Sequence, residues 1–573
     1  DMLLERDTIS WNALIIGYAE QNHITEVLKL FSRMPSEGIL PDSVTYITIL
    51  RVVGDFAINC VRELHMKISE MGFLDRDPFI GNTLVDTYAN CRLLLEAQEV
   101  FEMLPIRDTI SWNALIGGYV KHGFAEEALD CFKEMLIEGV CEDAITFIYV
   151  LKACGIIQAM DEGQEIHRQI AKFGLLKSEI LVGNALVDMY AKCGMFMQAE
   201  EVFNDLPVRN TVSWNILISG YAKHGFSEKA LNCFGKMDVE GVSSSAVTYV
   251  CILRACSNIR DINKGQEIHS EISTNGMLER DLDVGSALVG MYAQFGMLEK
   301  AHEVYNDLID QFGVRTPDIC NLLLFGYVEH GFWEEALEYI EQMQLQGISL
   351  DGMTFVCALK ACGNLGAVDK GLEVHGHITK KGLIEVDLVL GNALADMYGK
   401  CGLIREAHGV FDKLRARDVV TWTSLITGYA QIGDNETVFH LFERMRRECE
   451  PPNLMTFVGV LTACSHCGLV DKGEGYFEAI SYPSTEHYSC LLDILGRAGQ
   501  LDKAVAVINK MPFHPTLMVW HAVFGACKKW GNLELARDVF EFVMQLDGKD
   551  AASFVSMSNI YACADMPEDV NSY

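Results

Sequence analysis

Four groups of side chains in this chain have the types and spacing for chemistry. His269-Ser270-Glu271 spells the His-x-Glu of a zinc hydrolytic site, and Cys464-Ser465-His466-Cys467 has a Cys-x-x-Cys spacing that suits zinc. Zinc-dependent deamination of a base needs both, with a proline directly before the Cys-x-x-Cys; here Ala463 stands there. The His-x-Glu has a counterpart elsewhere in the chain that reads His167-Arg168-Gln169, so its spelling is incidental, and Cys464 belongs to a recurring set that leaves Cys467 as the only novelty. The third group is Asp42, Asp108, Asn210 and Ser245, short polar residues placed just before helical segments, where such residues ordinarily cap the helix. The fourth is Lys121, Lys192, Lys223 and Lys400 with Arg497, which share one place and by default form a solvated face. No phosphate-binding glycine loop and no nucleophile motif appears. The expectation is a chain that is not an enzyme, with no catalytic residues, no cofactor and no metal.

The elements that position these residues recur. The segment Thr109-Ile110-Ser111-Trp112-Asn113-Ala114-Leu115-Ile116-Gly117-Gly118-Tyr119 has relatives starting at 8, 211, 317 and 419, so the spacings are 101, 102, 106 and 102. A fixed period means a repeat architecture. Each long period holds three related segments; within 109–210 they are 109–143, 144–179 and 180–210, of 35, 36 and 31 residues, and fifteen such repeats fill 8–516. Within 109–143, Trp112, Leu115, Ile116 and Tyr119 sit at helical spacing, and so do Ala128, Leu129, Phe132 and Met135, with a break at Lys121-His122-Gly123 and a stop at Gly139. Such short helices are marginal alone, so the pairs must stack. Gly118 recurs mid-helix as Gly17, Gly220, Gly326 and Gly428. Glycine there costs roughly 1 kcal/mol against alanine, which predicts a close helix–helix approach. The tryptophans Trp11, Trp112, Trp214 and Trp422, at regular helical spacing, are expected in the core rather than stacked on a ligand.

Bulk properties set limits. Half the residues are apolar, which suits many small inter-helix cores, and no run of 18 apolar residues lacks charges, so no membrane span is expected. Of nineteen cysteines, Cys154, Cys256, Cys362 and Cys464 occupy one repeat position and Cys91, Cys193 and Cys401 another, which predicts small buried hydrophobes in a reducing compartment. With 46 basic against 79 acidic residues, the net charge of −33 argues against non-specific binding to a polyanion.

The strings Ser-Trp-Asn-x-Leu-Ile with Gly-Tyr, Gly-Asn-Ala-Leu-Val-Asp-Met-Tyr-Ala-Lys-Cys-Gly at 183–194, and Gly-Gln-Glu-Ile-His at 163–167 and 265–269 resemble the pentatricopeptide repeat family, and the three alternating lengths resemble its plant organellar PLS class. Glu486 to Gly499 resembles the family's terminal S repeat, Met518 to Cys527 its first E motif, and Ser558 to Ala562 the start of the second, as in the E subgroup. The resemblance implies an all-α solenoid, a right-handed superhelix of helix-turn-helix repeats of about 31–36 residues. Its parts would be 1–7, the tail of a preceding repeat; 8–516, the repeats; 517–550, an E1-like motif; and 551–573, a partial E2-like motif.

The resemblance also implies single-stranded RNA binding, one base per repeat, read by the fifth and last residues of P and S repeats. Asn12 then pairs with Asp42, Asn82 with Asp108, Asn113 with Asp143, Asn321 with Asp351 and Asn392 with Asp418, all favouring uracil. Asn184 with Asn210 implies a pyrimidine, Asn215 with Ser245 cytosine, Thr423 with Asn453 adenine, and Ser286 with Thr316 and Ser489 with Thr516 lean to purine. A short polar side chain at a helix start can donate and accept at a Watson–Crick edge. The intermediate repeats carry Ile47, Ile148, Val250, Val356 and Val458 at the fifth position and are assigned no base. The implied target is U-N-U-U-N-Y-C-N-R-U-N-U-A-N-R. Ile9, Phe79, Ile110, Leu181, Val212, Val389 and Val420 would flank bases, and Lys121, Lys192, Lys223, Lys400 and Arg497 would touch phosphates.

The repeat 282–316 departs by four extra residues around Ile309 to Gly313, and Asp318 stands where an apolar residue is usual. The E-like motifs imply site recognition for C-to-U RNA editing in a mitochondrion or chloroplast, with the deaminase or other editing cofactors supplied in trans. The alternatives are RNA stability or splicing without editing, and a protein-interaction scaffold, which the acidic charge favours. Neither membrane nor DNA is an expected partner, and a targeting segment is expected to lie outside the sequence that begins at Asp1.

Overall fold

A computed structural model describes residues 7–563 apart from 22, 54–57, 314, 384–386, 514 and 547–550. The expected tail of an earlier repeat, short of its last residue, and the end of the E2-like segment lie outside the described residues. Among the described residues every regular element is a helix, and the all-α solenoid class holds. Helix pairs follow one another from Thr8–Glu20 with Ile24–Arg33 to Thr485–Arg497 with Leu501–Asn509, and the helices Leu517–Trp530, Leu533–Leu546 and Ala551–Cys563 come after them.

The chain forms two compact units, Asp1–Met291 and Tyr292–Tyr573. Inside the first, the helix Thr109–Lys121 packs on its own second helix, Ala125–Ile137, and on the next first helix, Ala144–Ile157, which in turn packs on Ile180–Lys192. The second unit repeats the scheme with Gly352–Leu365, Leu388–Lys400 and Val419–Ile432.

Local chemistry sets the helix ends. At Thr109–Lys121 the Asp108 carboxylate accepts from the Ser111 N–H at 2.8 Å while the Ser111 hydroxyl accepts from the Asp108 N–H at 2.9 Å, a reciprocal capping box. The helix stops where Gly123 turns to φ +83°, and its partner where Gly139 turns to φ +73°. The apolar faces then meet: Trp112, Ile116 and Met135 are buried, and Phe101 of the preceding pair meets the Trp112 ring edge-on at 4.6 Å between centroids. Phe203 with Trp214 and Phe411 with Trp422 repeat that contact at 4.7 Å. Each such side chain removed from water contributes roughly 1.5–3 kcal/mol. All four tryptophans are core residues.

The close approach expected at the mid-helix glycine is present at Gly118, Gly220 and Gly326, is made by a side chain at Gly428, and is absent at Gly17. A Cβ on Gly118 would lie 2.5 Å from the Ala89 Cβ of the preceding first helix, and at Gly220 and Gly326 the corresponding distances to Ala191 and Ala293 are 2.9 and 2.8 Å. At Gly428 the neighbour is Ile404 Cδ1, 2.5 Å away. Gly17 has nothing within 4 Å.

The cysteines divide. Cys154, Cys256, Cys362 and Cys464 are buried as expected, and burial raises the thiol pKa to about 12 at Cys154 and to about 11 at the other three. Cys91, Cys193 and Cys401 correct the expectation: they are only half-buried. Each sits at a helix C-cap, one residue past the buried face, where the chain turns toward solvent. No disulfide joins the described cysteines. The four extra residues near 309–313 lengthen a second helix: Leu298–Phe312 has 15 residues where Leu94–Met103 and Phe196–Asp205 have 10.

Candidate functional site

The recurring fifth residue lies near the start of each first helix, and the residue paired with it is the N-cap of the next. These are 26 to 30 positions apart, yet in seven pairs they touch. The Asn side-chain amide donates to the cap carboxylate at 2.9 Å for Asn12–Asp42, 3.1 Å for Asn82–Asp108, 2.9 Å for Asn113–Asp143, 2.8 Å for Asn321–Asp351 and 3.1 Å for Asn392–Asp418. Asn215 donates to the Ser245 hydroxyl at 2.8 Å, and the Thr423 hydroxyl to Asn453 at 3.4 Å.

The next helix holds the other end of the amide. The Thr146 hydroxyl donates to Asn113 Oδ1 at 2.7 Å, and Thr45, Thr248, Thr354 and Thr421 do the same for Asn12, Asn215, Asn321 and Asn392 at 2.6 to 2.8 Å. Each amide plane is therefore clamped by a neighbour rather than left to rotate. Three contacts converge on Asp143 Oδ1, from the Thr146 N–H, the Thr146 hydroxyl and the Asn113 amide, and Oδ2 takes none of them.

Capping and pairing are thus one arrangement: Asp42, Asp108 and Ser245 receive the N–H of the third helical residue and touch the preceding repeat's Asn with the same side chain. Burial pushes the Asp143 carboxyl up, but the hydrogen bonds from Thr146 and Asn113 outweigh it and hold the group below the usual carboxylate value. Asp42, Asp108 and Asp418 are held down in the same way. These carboxylates are ionised at neutral pH.

The remaining pairs differ. Asn210 caps its helix, accepting from the Ser213 N–H and hydroxyl at 3.0 Å, but it makes no bond to Asn184, whose two amide atoms are buried without a protein partner. Asn82 Oδ1 is likewise unpartnered, because Ser111 donates to Asp108 instead. Ser286 and Ser489 turn back on their own helices, donating to the Leu282 and Thr485 carbonyls at 2.8 and 2.9 Å. Thr316 and Thr516 stand at helix starts without a side-chain cap bond.

Around this row lie exposed apolar side chains. Ile9, Phe79, Ile110, Leu181, Val212, Val389 and Val420 are between 48% and 75% exposed. Val44, Ile145, Val247, Met353 and Met455 occupy the same second position of the intermediate repeats and are also exposed, although the sequence pattern of P and S repeats did not single them out. The five recurring cations are not equivalent. Lys192, Lys400 and Arg497 pair with Asp188, Asp396 and Asp493 one turn back, at 2.7, 2.9 and 2.9 Å. Lys121 donates to Asn90 at 2.9 Å, and Lys223 is exposed.

In the first unit a groove of about 750 Å³ brings these classes together. Phe79, Asn82, Ile110, Asn113, Lys121 and Lys192 line it, joined by Arg51, Tyr149 and Lys152, which sequence reasoning missed. Their signal was available: Arg51 and Lys152 are 101 residues apart at one repeat position. The motifs considered for zinc do not assemble. Glu271 accepts a hydrogen bond from the Tyr249 hydroxyl at 2.8 Å, Cys464 is buried while Cys467 is exposed, and no cluster of three potential metal ligands occurs among the described residues.

Known proteins match along the whole chain. A model of the PPR repeat family matches residues 6–54, 107–155, 209–258 and 417–466, and a PPR repeat model matches 184–210, 286–311, 318–348, 392–419 and 486–513. A pentatricopeptide repeat-containing protein of Arabidopsis thaliana is 32% identical over 581 residues, covering 100% of this chain and 69% of that protein. A chloroplastic member from the same plant is 33% identical, covering 98% and 69%, and a mitochondrial one is 32% identical, covering 99% and 65%. Among solved structures, the maize pentatricopeptide repeat protein PPR10 superposes with a TM-score of 0.56 at 17% identity, covering 99% of this chain and 88% of that one. The same protein in complex with an 18-nucleotide psaJ RNA element gives 0.60 at 19% identity, covering 99% and 84%. At such identities the likeness is one of fold.

Proposed function

Because this chain belongs to the pentatricopeptide repeat family, we propose that it binds single-stranded RNA and recognises its sequence, one base per P or S repeat. The observation that carries this reading is the recurring amide–carboxylate pair, of which Asn82 and the clamped Asn113 line one groove with the exposed Phe79 and Ile110 and with Lys121 and Lys192. Clamping matters because a base edge is discriminated only by donors and acceptors whose positions are set in advance. RNA in complex with PPR10 supports the ligand class.

Charge placement favours RNA over the protein scaffold. The acidic excess is heavy on second helices: Glu334, Glu335, Glu338 and Glu341 stand on Trp333–Leu345 with no Lys or Arg among them. The groove itself holds Arg51, Lys121, Lys152 and Lys192 against Asp86.

The reading extends to a role. The resemblance of 485–516, 517–550 and 551–573 to terminal S, E1 and partial E2 motifs supports site selection for C-to-U editing, with a deaminase acting in trans, and 8–516 is assigned as the RNA-reading part. The chloroplastic and mitochondrial relatives support an organelle as its place of action. A transcript that carries the target and stays edited when the protein is lost would leave RNA stability or splicing as the role.

Binding is tested first, near physiological salt, with the 15-nucleotide target and with a version carrying adenine at the five uracil positions. Each misread base costs about 1–3 kcal/mol, so five changes abolish measurable tight binding. Equal affinity for both RNAs would refute sequence reading, and no binding to either would return the scaffold.

A further inference from the structure

The intermediate repeats leave a question open. Their fifth residues Ile47, Ile148 and Val250 are aliphatic and cannot hydrogen-bond a base, yet they occupy every third place along the row. We propose that these repeats hold the phosphodiester backbone through a cation one helical turn further on, at Arg51, Lys152 and Arg254. This rests on the RNA-binding reading and deepens it.

Geometry comes first. Residues four apart on a helix share a face, so each cation stands on the same face as the aliphatic fifth residue. Arg51 and Lys152 line the groove that holds Asn82 and Asn113, and all three cations are exposed.

Charge comes second. Lys192, in the same groove, is paired with Asp188 at 2.7 Å, which answers much of its charge. No ion pair at Arg51, Lys152 or Arg254 occurs among the described residues. Around Asp86, the acid that lines the groove, Arg51 and Lys121 both act on the carboxylate, so cations outnumber acids there. An excess of exposed cations beside apolar flanking residues suits an oxyanion on a sugar–phosphate chain.

The helix itself makes room. Gly155, on the same helix as Lys152, faces the Lys192 stem: a Cβ there would sit 3.1 Å from Lys192 Cδ. The stem can therefore lie close across the intermediate repeat, and the cations of two successive repeats line one groove. Such a repeat fixes the spacing of the bases on either side without reading its own.

The second unit supplies contrasts. Lys360 holds the same position but lies 3.8 Å from Glu329. In the last intermediate repeat the position is Thr462, whose hydroxyl donates to the Val458 carbonyl at 2.8 Å.

The test uses the full chain, the 15-nucleotide RNA and a version with adenine at its fourth nucleotide alone, titrated between about 50 and 200 mM salt. Each lost contact to single-stranded nucleic acid lowers the slope of log K against log salt by about 0.7. The Arg51→Gln, Lys152→Gln, Arg254→Gln triple variant should flatten the slope by about 2. It should weaken binding to both RNAs by the same factor, so that the ratio between them stays put. Thr462→Lys should steepen the slope by about 0.7. An unchanged slope in the triple variant, or a loss confined to the matched RNA, overturns the proposal while leaving RNA binding intact. If the unmutated chain binds neither RNA, the RNA-binding reading falls and takes this one with it.

Discussion

Asp143→Asn isolates the reading pair of one repeat. The substitution keeps shape and keeps the helix cap, since asparagine caps as well as aspartate and Asn210 accepts from Ser213 in just that way at 3.0 Å. What it removes is the charge, since the contacts from the Asn113 amide and from Thr146 all fall on Oδ1, which asparagine keeps as an acceptor. A hydrogen bond to a charged group contributes roughly 1.5–3 kcal/mol and a neutral one about 1. Asp143 is exposed, and screening discounts the charged value, so the variant should lose about 1 kcal/mol of stability.

The pH dependence carries a sign. The folded-state pKa of Asp143 lies below its ordinary value. Its contribution is therefore present above about pH 4, the ordinary aspartate pKa, and is lost as pH falls through the folded value. The stability gap between the original chain and the variant should be full at pH 7 and close in acid. Binding is assayed with four RNAs that differ only at the fourth nucleotide. The original chain should prefer uracil there. In the variant the preference over cytosine should shrink, because the pair then resembles Asn184–Asn210. An unchanged uracil preference, with the stability loss present, would show that this pair clamps the fold and reads nothing.

Two further outcomes follow from packing. Gly118→Val drives a branched side chain into Ala89, whose Cβ lies 2.5 Å from the new Cβ position, and should cost about 1–3 kcal/mol in denaturant titration; Gly17→Ala meets nothing within 4 Å and should be neutral or stabilising by up to about 1 kcal/mol. In the native state at pH 7.5, a thiol reagent should label the exposed Cys141, Cys449 and Cys467 first and leave Cys154, Cys256, Cys362 and Cys464 unlabelled, since burial holds those thiols protonated at about 11 to 12; early labelling of Cys154 by mass spectrometry would contradict the packing.

The repeat itself was legible in the sequence, for a physical reason. A short helix pair must bury one face against its neighbours, and that demand writes apolar residues at helical spacing, such as Trp112, Leu115, Ile116 and Tyr119, into each repeat. The glycine at 118 was legible for the same reason, because only a close backbone approach explains a residue that weakens its own helix. The sequence also placed the short polar residues at helix starts and the large aliphatics beside them. Hydrogen bonding was not legible, because its partners come from the next repeat. Whether Asn113 is clamped depends on Asp143 and on Thr146, 33 positions away; at Asn82 and Asn184, where serine replaces that threonine, an amide oxygen is left over. The same holds for charge. Lys121, Lys192 and Lys223 look alike in the chain, and only their surroundings separate a lysine tied to Asn90, one paired with Asp188 and one exposed to solvent. Periodicity is a property of one strand of sequence, whereas pairing and desolvation belong to the space between repeats.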